Sequence, residues 1–159
     1  MNIRKFTKVA MFAALAAVLT MFPQIATPTG GYVHFGDSII YIAAAFSGSA
    51  AGALVGAIGH AMADVLTGHL IFALPTFIIK GLMGFVIGKI LYNKTDIKHL
   101  IIAGACALII VTLGYFVAES IMFGVAAAMT TLVSSPVQWL MSVIATAFLM
   151  PIIKRVMKK

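Results

Sequence analysis

The chain has 159 residues, 62% of them hydrophobic and 9% charged, with a mean hydropathy of +1.11. This composition excludes a soluble globular domain and leaves room for one compact membrane domain. The net charge of +7 does not indicate nucleic acid, because the basic residues stand in short clusters beside apolar runs, where charge orients spans.

The N-terminal stretch "MNIRKFTKVAMFAALAAVLTMF" has the basic start and apolar core of a signal peptide. It runs into "PQIATPTGG" without a convincing small-x-small site, so a retained first span near 6–22 is expected. Next comes a long apolar stretch from about 35 to 66, and then a span near 74–92. Charge parity decides how to divide the middle stretch. The basic clusters Arg4, Lys5 and Lys8, then Lys89, Lys94 and Lys98, then Lys154, Arg155, Lys158 and Lys159 are all expected in the cytoplasm. Even numbers of crossings must therefore separate them, and the middle stretch must cross twice. A helix rises ~1.5 Å per residue and the hydrocarbon is ~30 Å thick, so two short tilted spans need a tight turn between them. "FSGSAAG" offers one at Gly48, Ser49 and Gly52.

Spans at 99–118 and 134–153 complete the set. The expected fold is an all-α integral membrane protein forming a single domain over 1–159. It is a compact bundle of six transmembrane helices (6–22, 36–47, 49–65, 74–92, 99–118, 134–153) with both termini cytoplasmic. External loops then fall at 23–35, 66–73 and 119–133, the last partly re-entrant because Gly124, Thr130, Thr131, Ser134 and Pro136 punctuate an apolar run.

In this topology Asp37, Asp64, Glu119 and Lys80 collect in the outer half, together with His34, His60 and His69, while Asp96 and His99 stay with the cytoplasmic cluster. Ionisable groups inside a membrane usually face a bundle interior or a wet cavity, so a polar pocket open to the outside is expected. Structural roles stand beside that reading. Asp37 in "FGDS" suits an N-cap of the second helix. Asp64 and Lys80 suit an ion pair between neighbouring spans, and His60, one turn before Asp64, suits a hydrogen bond to it. Glu119 suits the outer interface, and His69 a hydrated loop. Tyr32, Tyr41, Tyr115 and Trp139 suit either an interfacial belt or a stacking face for a flat ligand.

Catalytic and metal motifs are missing. His60 and Asp64 share i,i+4 spacing, but there is no HExxH and no third ligand at a diagnostic distance, so no metal is expected. "GFVIGK" at 84–89 is one residue short of a phosphate loop and lies within a span. Asp37 and Asp64 could form an aspartyl dyad in a small membrane protease similar in size to a lipoprotein signal peptidase, although that family's Asp-bearing motifs are absent. A stand-alone channel or exporter is the other alternative, against which no polar face continues into the cytoplasmic half. Cys106 lies in an apolar run and reads as packing.

On the first helix Ala10, Ala13, Ala14 and Ala17 make a small-xxx-small face that lets another helix approach closely. Gly52, Gly56 and Gly59 do the same on the third. Together with "YVHFGDSIIYIAA" and "GAIGHAMADVLTG", this pattern resembles the substrate-binding S component of energy-coupling factor (ECF) vitamin transporters over essentially the whole chain. The likeness is to the riboflavin-family group that includes hydroxymethylpyrimidine and pyridoxine types. The resemblance implies a non-enzymatic, cofactor-free subunit of the bacterial plasma membrane, which binds a vitamin from outside beneath the loops near 23–35 and 66–73. It also implies that Ala10, Ala13, Ala14 and Ala17 meet a transmembrane coupling subunit that carries two cytoplasmic ATPases, and that the S component topples to release its cargo. A missing ATP site then becomes an expected absence.

Three acids against one base in the outer half disfavour an anionic ligand and favour a neutral or weakly basic heteroaromatic, of pyridoxine or hydroxymethylpyrimidine type, with riboflavin still compatible. The expected contacts are Tyr32, His34, Asp37, Tyr41, Asp64, His69, Lys80, Glu119 and Trp139.

Overall fold

The computed structural model describes residues 3–27 and 32–157. Residues 28–31 of the expected outer loop, and Lys158 and Lys159 of the last basic cluster, lie outside them.

Helix α1 (Ile3–Met21) keeps Arg4, Lys5 and Lys8 exposed and turns Val9, Ala13, Ala16, Ala17 and Thr20 inward. Beyond it the expected loop contains a two-residue antiparallel ribbon. Here β1 (Ile25–Ala26) pairs with β2 (Tyr32–Val33), with Ile25 opposite Val33 and Ala26 opposite Tyr32. The ribbon fixes Tyr32 over the bundle.

Helix α2 (Asp37–Ser47) is buried on every side from Asp37 to Ala45. Eleven residues span only ~16 Å at the ordinary helical rise, and an apolar run without a polar face is what a helix enclosed by others requires. Gly48, at φ 87°, ends it and reverses the chain; this left-handed region carries no penalty only for glycine.

Helix α3 (Ser49–Leu66) follows at once, with one π turn at Val55–Gly59. Its small residues let it lie against α4 (Leu70–Leu91): a Cβ on Gly52 or Gly84 would collide with the other's backbone, and one on Gly56 with the Lys80 carbonyl. The buried residues of α4 recur along one stripe, Phe72, Thr76, Ile79, Lys80, Met83, Gly84, Ile87, Gly88 and Leu91. The opposite face exposes Leu70, Ile71, Leu74, Phe77, Ile78, Leu82 and Phe85, a surface stable only in lipid.

Helix α5 (Ile97–Phe123) is capped by Asp96, whose carboxylate accepts from the His99 N–H at 3.4 Å and meets His99 Nδ1 at 2.8 Å. The His99 contact holds the Asp96 carboxyl below its usual range. The expected loop at 119–133 is mostly helical. Helix α5 continues to Phe123, Gly124 turns the chain at φ 87°, and a short α6 (Val125–Ala128) leads into α7 (Thr131–Met157).

Among the described residues four helical stretches are long and apolar enough to cross a membrane: Ser49–Leu66, Leu70–Leu91, Ile97–Phe123 and Val125–Arg155. Helix α1 has 19 residues but begins with three basic ones, and α2 is shorter. One core cluster joins α2, α4 and α5 around Tyr41, Met83, Ile87 and Ala103, and a second joins α1, α2 and α3 around Ala16, Ile42 and Val55. Lys154 donates to Thr95 at 2.9 Å, bringing the end of α7 to the α4–α5 turn with Lys89, Lys94 and Lys98. The polar interior lies toward the other end of these helices.

Candidate ligand-binding site

A cavity of about 590 Å³, counting its open mouth, occupies that polar end. Its walls come from the ends of several helices: Thr20 of α1, His60 and Asp64 of α3, Phe72, Thr76 and Lys80 of α4, Tyr115 and Glu119 of α5, and Thr131, Ser135 and Gln138 of α7, with Tyr32 and His34 above.

Lys80 stands in the floor, paired with Asp37 behind it. Lys80 Nζ donates to both Asp37 oxygens at 2.7 Å, and both side chains are about 2% exposed. His60 Nε2 lies 3.1 Å from Asp37 Oδ1, out of line for a hydrogen bond, while its Nδ1 faces the Gly56 carbonyl at 3.1 Å. A glycine at 56 and the π turn let α3 press on α4 closely enough for His60 to reach this pair. Three expectations are corrected here. Lys80 pairs with Asp37 and not with Asp64, and His60 turns to Asp37 and not to Asp64. Asp37 is not the N-cap of α2 either: Gly36 occupies that position, with no side-chain cap.

Beside the pair, His34 is clamped. Its backbone N–H donates to Gln138 Oε1 at 2.7 Å, and its Nδ1 accepts from the Gly36 N–H at 3.0 Å. A bare Nδ1 leaves the proton of a neutral ring on Nε2. Burial holds this imidazole well below its usual range, the Asp37 carboxylate opposing.

Near the mouth, Tyr32 donates its hydroxyl to Asp64 Oδ1 at 2.6 Å. Burial, then the Asp64 carboxylate, push the Tyr32 phenol up, so it remains the donor. Asp64 is 4% exposed, and its Oδ2 has no hydrogen-bond partner among the described residues. Glu119, expected at an interface, is buried and accepts from Thr131 Oγ1 at 2.5 Å. Thr76 and Tyr115 share a hydrogen bond of 2.9 Å.

Of the nine side chains expected at the site, Tyr32, His34, Asp64, Lys80 and Glu119 line this cavity. Asp37 stands behind its floor and, with Tyr41 and Trp139, lines a smaller chamber beneath. His69 lines neither; it is half-buried, accepts or donates with Thr67 Oγ1 at 2.9 Å and packs its ring 4.8 Å from that of Tyr32. Sequence reasoning did not place Ser135, Gln138, Ser142 and Thr146 at the site, and took Thr131 only for a loop residue; all five are buried. Their spacing of four, three, four and four is a polar stripe along one face of α7, a periodicity legible in the sequence.

His34, Asp37 and His60 bring potential ligand atoms within 4.8 Å of one another. They do not suit a metal, because both Asp37 oxygens are already on the Lys80 ammonium, whose charge opposes a second cation.

The alanine face divides. Ala10 and Ala14 are exposed, whereas Ala13 and Ala17 are buried, and a Cβ on Gly59 would meet the Ala13 carbonyl at 2.7 Å. Half of this face therefore serves contact within the chain.

Apolar helices around a ligand-sized polar cavity define a multi-pass membrane protein built to hold a small molecule. A family model, that of the ECF-type riboflavin transporter S component, matches residues 1–155. The chain belongs to this family of substrate-binding subunits for vitamin uptake. It is also 30% identical over 139 residues, 87% of this chain and 93% of the relative, to a Pyrococcus woesei protein described as an uncharacterized protein in gap 3'region.

Proposed function

We propose that the chain captures a small neutral or weakly basic heteroaromatic vitamin or precursor, of pyridoxine or hydroxymethylpyrimidine type, for uptake through an ATP-driven ECF transporter. The observation that carries this reading is the free Asp64 Oδ2 in a cavity whose one ammonium is already paired. A buried carboxylate oxygen without a donor is costly. A ligand N–H or O–H removes that cost, whereas an anionic ligand adds repulsion from Asp64 and Glu119. Tyr32, Phe72 and Tyr115 supply aromatic surface around the same space.

The basic end, facing the cytoplasm under the positive-inside rule, turns the cavity outward in the plasma membrane, with six crossings and both termini inside. Exposed Ala10 and Ala14, beside exposed Met11, Leu15 and Val18, offer the face for a transmembrane coupling subunit, which would bring two ATPases. Neither Asp37 nor Asp64 hydrogen-bonds to the other; each has a different partner, which weighs against a protease dyad.

The family's description favours riboflavin as a second reading. Titrating purified protein with pyridoxine, hydroxymethylpyrimidine and riboflavin, and weighing any small molecule it carries by mass spectrometry, separates the two. Tight binding of an anionic vitamin alone would refute the charge argument.

A further inference from the structure

Beneath the Asp37–Lys80 floor lies a second chamber, with room for about one water-sized group by the volume a single water needs. It is lined by α2, α4, α5 and α7, and Val111, Ser135 and Gln138 line both it and the main cavity, so the two spaces adjoin. Three residues that line it carry a buried polar atom with no hydrogen-bond partner among the described residues: Tyr41 Oη, Trp139 Nε1, which also lies close to Gly104, and Ser142 Oγ. Tyr41 and Ser142 are each 1% exposed. Nearly all buried polar groups in native proteins are paired, so three orphans on residues that line one space point to a missing partner.

We propose that this chamber is a second subsite, which takes a neutral hydroxyl carried on a short arm of the ligand whose ring occupies the main cavity. The chemistry of the three atoms selects that group. An indole N–H only donates, and the two hydroxyls donate or accept. A single hydroxyl oxygen accepts twice and donates once, so it can answer all three. Charge excludes the alternatives. Asp37 is the only charged side chain among the described residues that line the chamber, and its pairing with Lys80 leaves no net charge there to balance either an anion or a cation. This inference rests on the reading of the chain as a vitamin-binding subunit and adds that its ligand is hydroxylated.

A trapped water presents the same oxygen, and paired ligands separate the two sources. Affinities are measured by calorimetry for pyridoxine and 3-hydroxy-2,4,5-trimethylpyridine, for hydroxymethylpyrimidine and 4-amino-2,5-dimethylpyrimidine, and for riboflavin and lumiflavin. Each measurement is repeated on Tyr41→Phe and Ser142→Ala. In the wild type, the pair that binds should differ at least about tenfold in favour of the hydroxylated member, as for loss of the hydroxyl or hydroxyls that the second member lacks. Either substitution should shrink that ratio at least about threefold, the share of the one hydroxyl in the chamber, a coupling that general destabilisation does not produce. Equal affinities within every pair that binds would assign the chamber to water and overturn the subsite while leaving the uptake reading intact. A ratio that survives both substitutions would also overturn it. Failure of all six compounds to bind would overturn both readings.

Discussion

Lys80, at the centre of α4, holds Asp37, the first residue of α2, through both carboxylate oxygens at 2.7 Å, and neither side chain reaches solvent. The pair ties α2 to α4, and it occupies the only buried ammonium among the described residues with a carboxylate although Lys80 lines the cavity. Removing one partner should leave an uncompensated buried charge, costing about 3–5 kcal/mol. Lys80→Met or Asp37→Asn is therefore expected to lower the melting temperature in detergent sharply. The double substitution should recover much of the loss, because no charge is orphaned. A double variant as unstable as the sum of its parts would contradict this account.

Asp64 has the opposite character, with one oxygen held by Tyr32 and the other free. Asp64→Asn should weaken ligand binding about 10- to 100-fold, the range for a hydrogen bond to a charged group, with little change in melting temperature. Tyr32→Phe should weaken it less, since the carboxylate remains. Calorimetric titration reads both, and unaltered affinity in Asp64→Asn would remove the anchor assigned to it.

Stability should fall in mild acid. His34 is held neutral by burial, so its folded pKa lies below the ordinary value near 6.5. Between the two values the unfolded chain binds the extra proton. The contribution of His34 is thus complete above about pH 6.5 and shrinks as the pH drops below it. Melting curves from pH 8 to pH 5 should show the decline, and His34→Gln should flatten it. An equally steep decline in that variant would move the effect to another group.

At the α3–α4 crossing, a Cβ on Gly56 would strike the Lys80 backbone carbonyl. Gly56→Val should push the helices apart, with overpacking costs of about 1–3 kcal/mol or more, and shift Lys80 away from Asp37. Melting temperature and ligand affinity are expected to fall together, whereas Gly68→Ala, at a turn where a Cβ meets nothing within 4 Å but φ is 84°, should affect stability alone. Normal ligand affinity in a destabilised Gly56→Val protein would argue against coupling between the crossing and the site.

The divided alanine face makes a further contrast. Ala14→Trp, on the exposed side, should leave folding and ligand binding intact while abolishing assembly with a coupling subunit and uptake. Ala16→Trp, at 0% exposure against Gly59, should prevent folding. Co-purification of the assembled transporter distinguishes them; uptake unaffected by Ala14→Trp would place the docking surface elsewhere.

Composition and periodicity were enough to determine an all-helical membrane protein, because lipid demands long apolar runs with internally paired backbones, and such runs are visible in one dimension. The motifs around Asp37 and Asp64 likewise carried the family. Partner choice among Lys80, Asp37, Asp64 and His60 was not legible. Any of these groups could pair on charge alone, and the decision fell to distances set by a glycine contact and a π turn, features of how α3 rests on α4. The same holds for the chamber below Asp37. Tyr41 lies on α2 and both Trp139 and Ser142 on α7, and only packing these two helices together with α5 brings the three residues around one space.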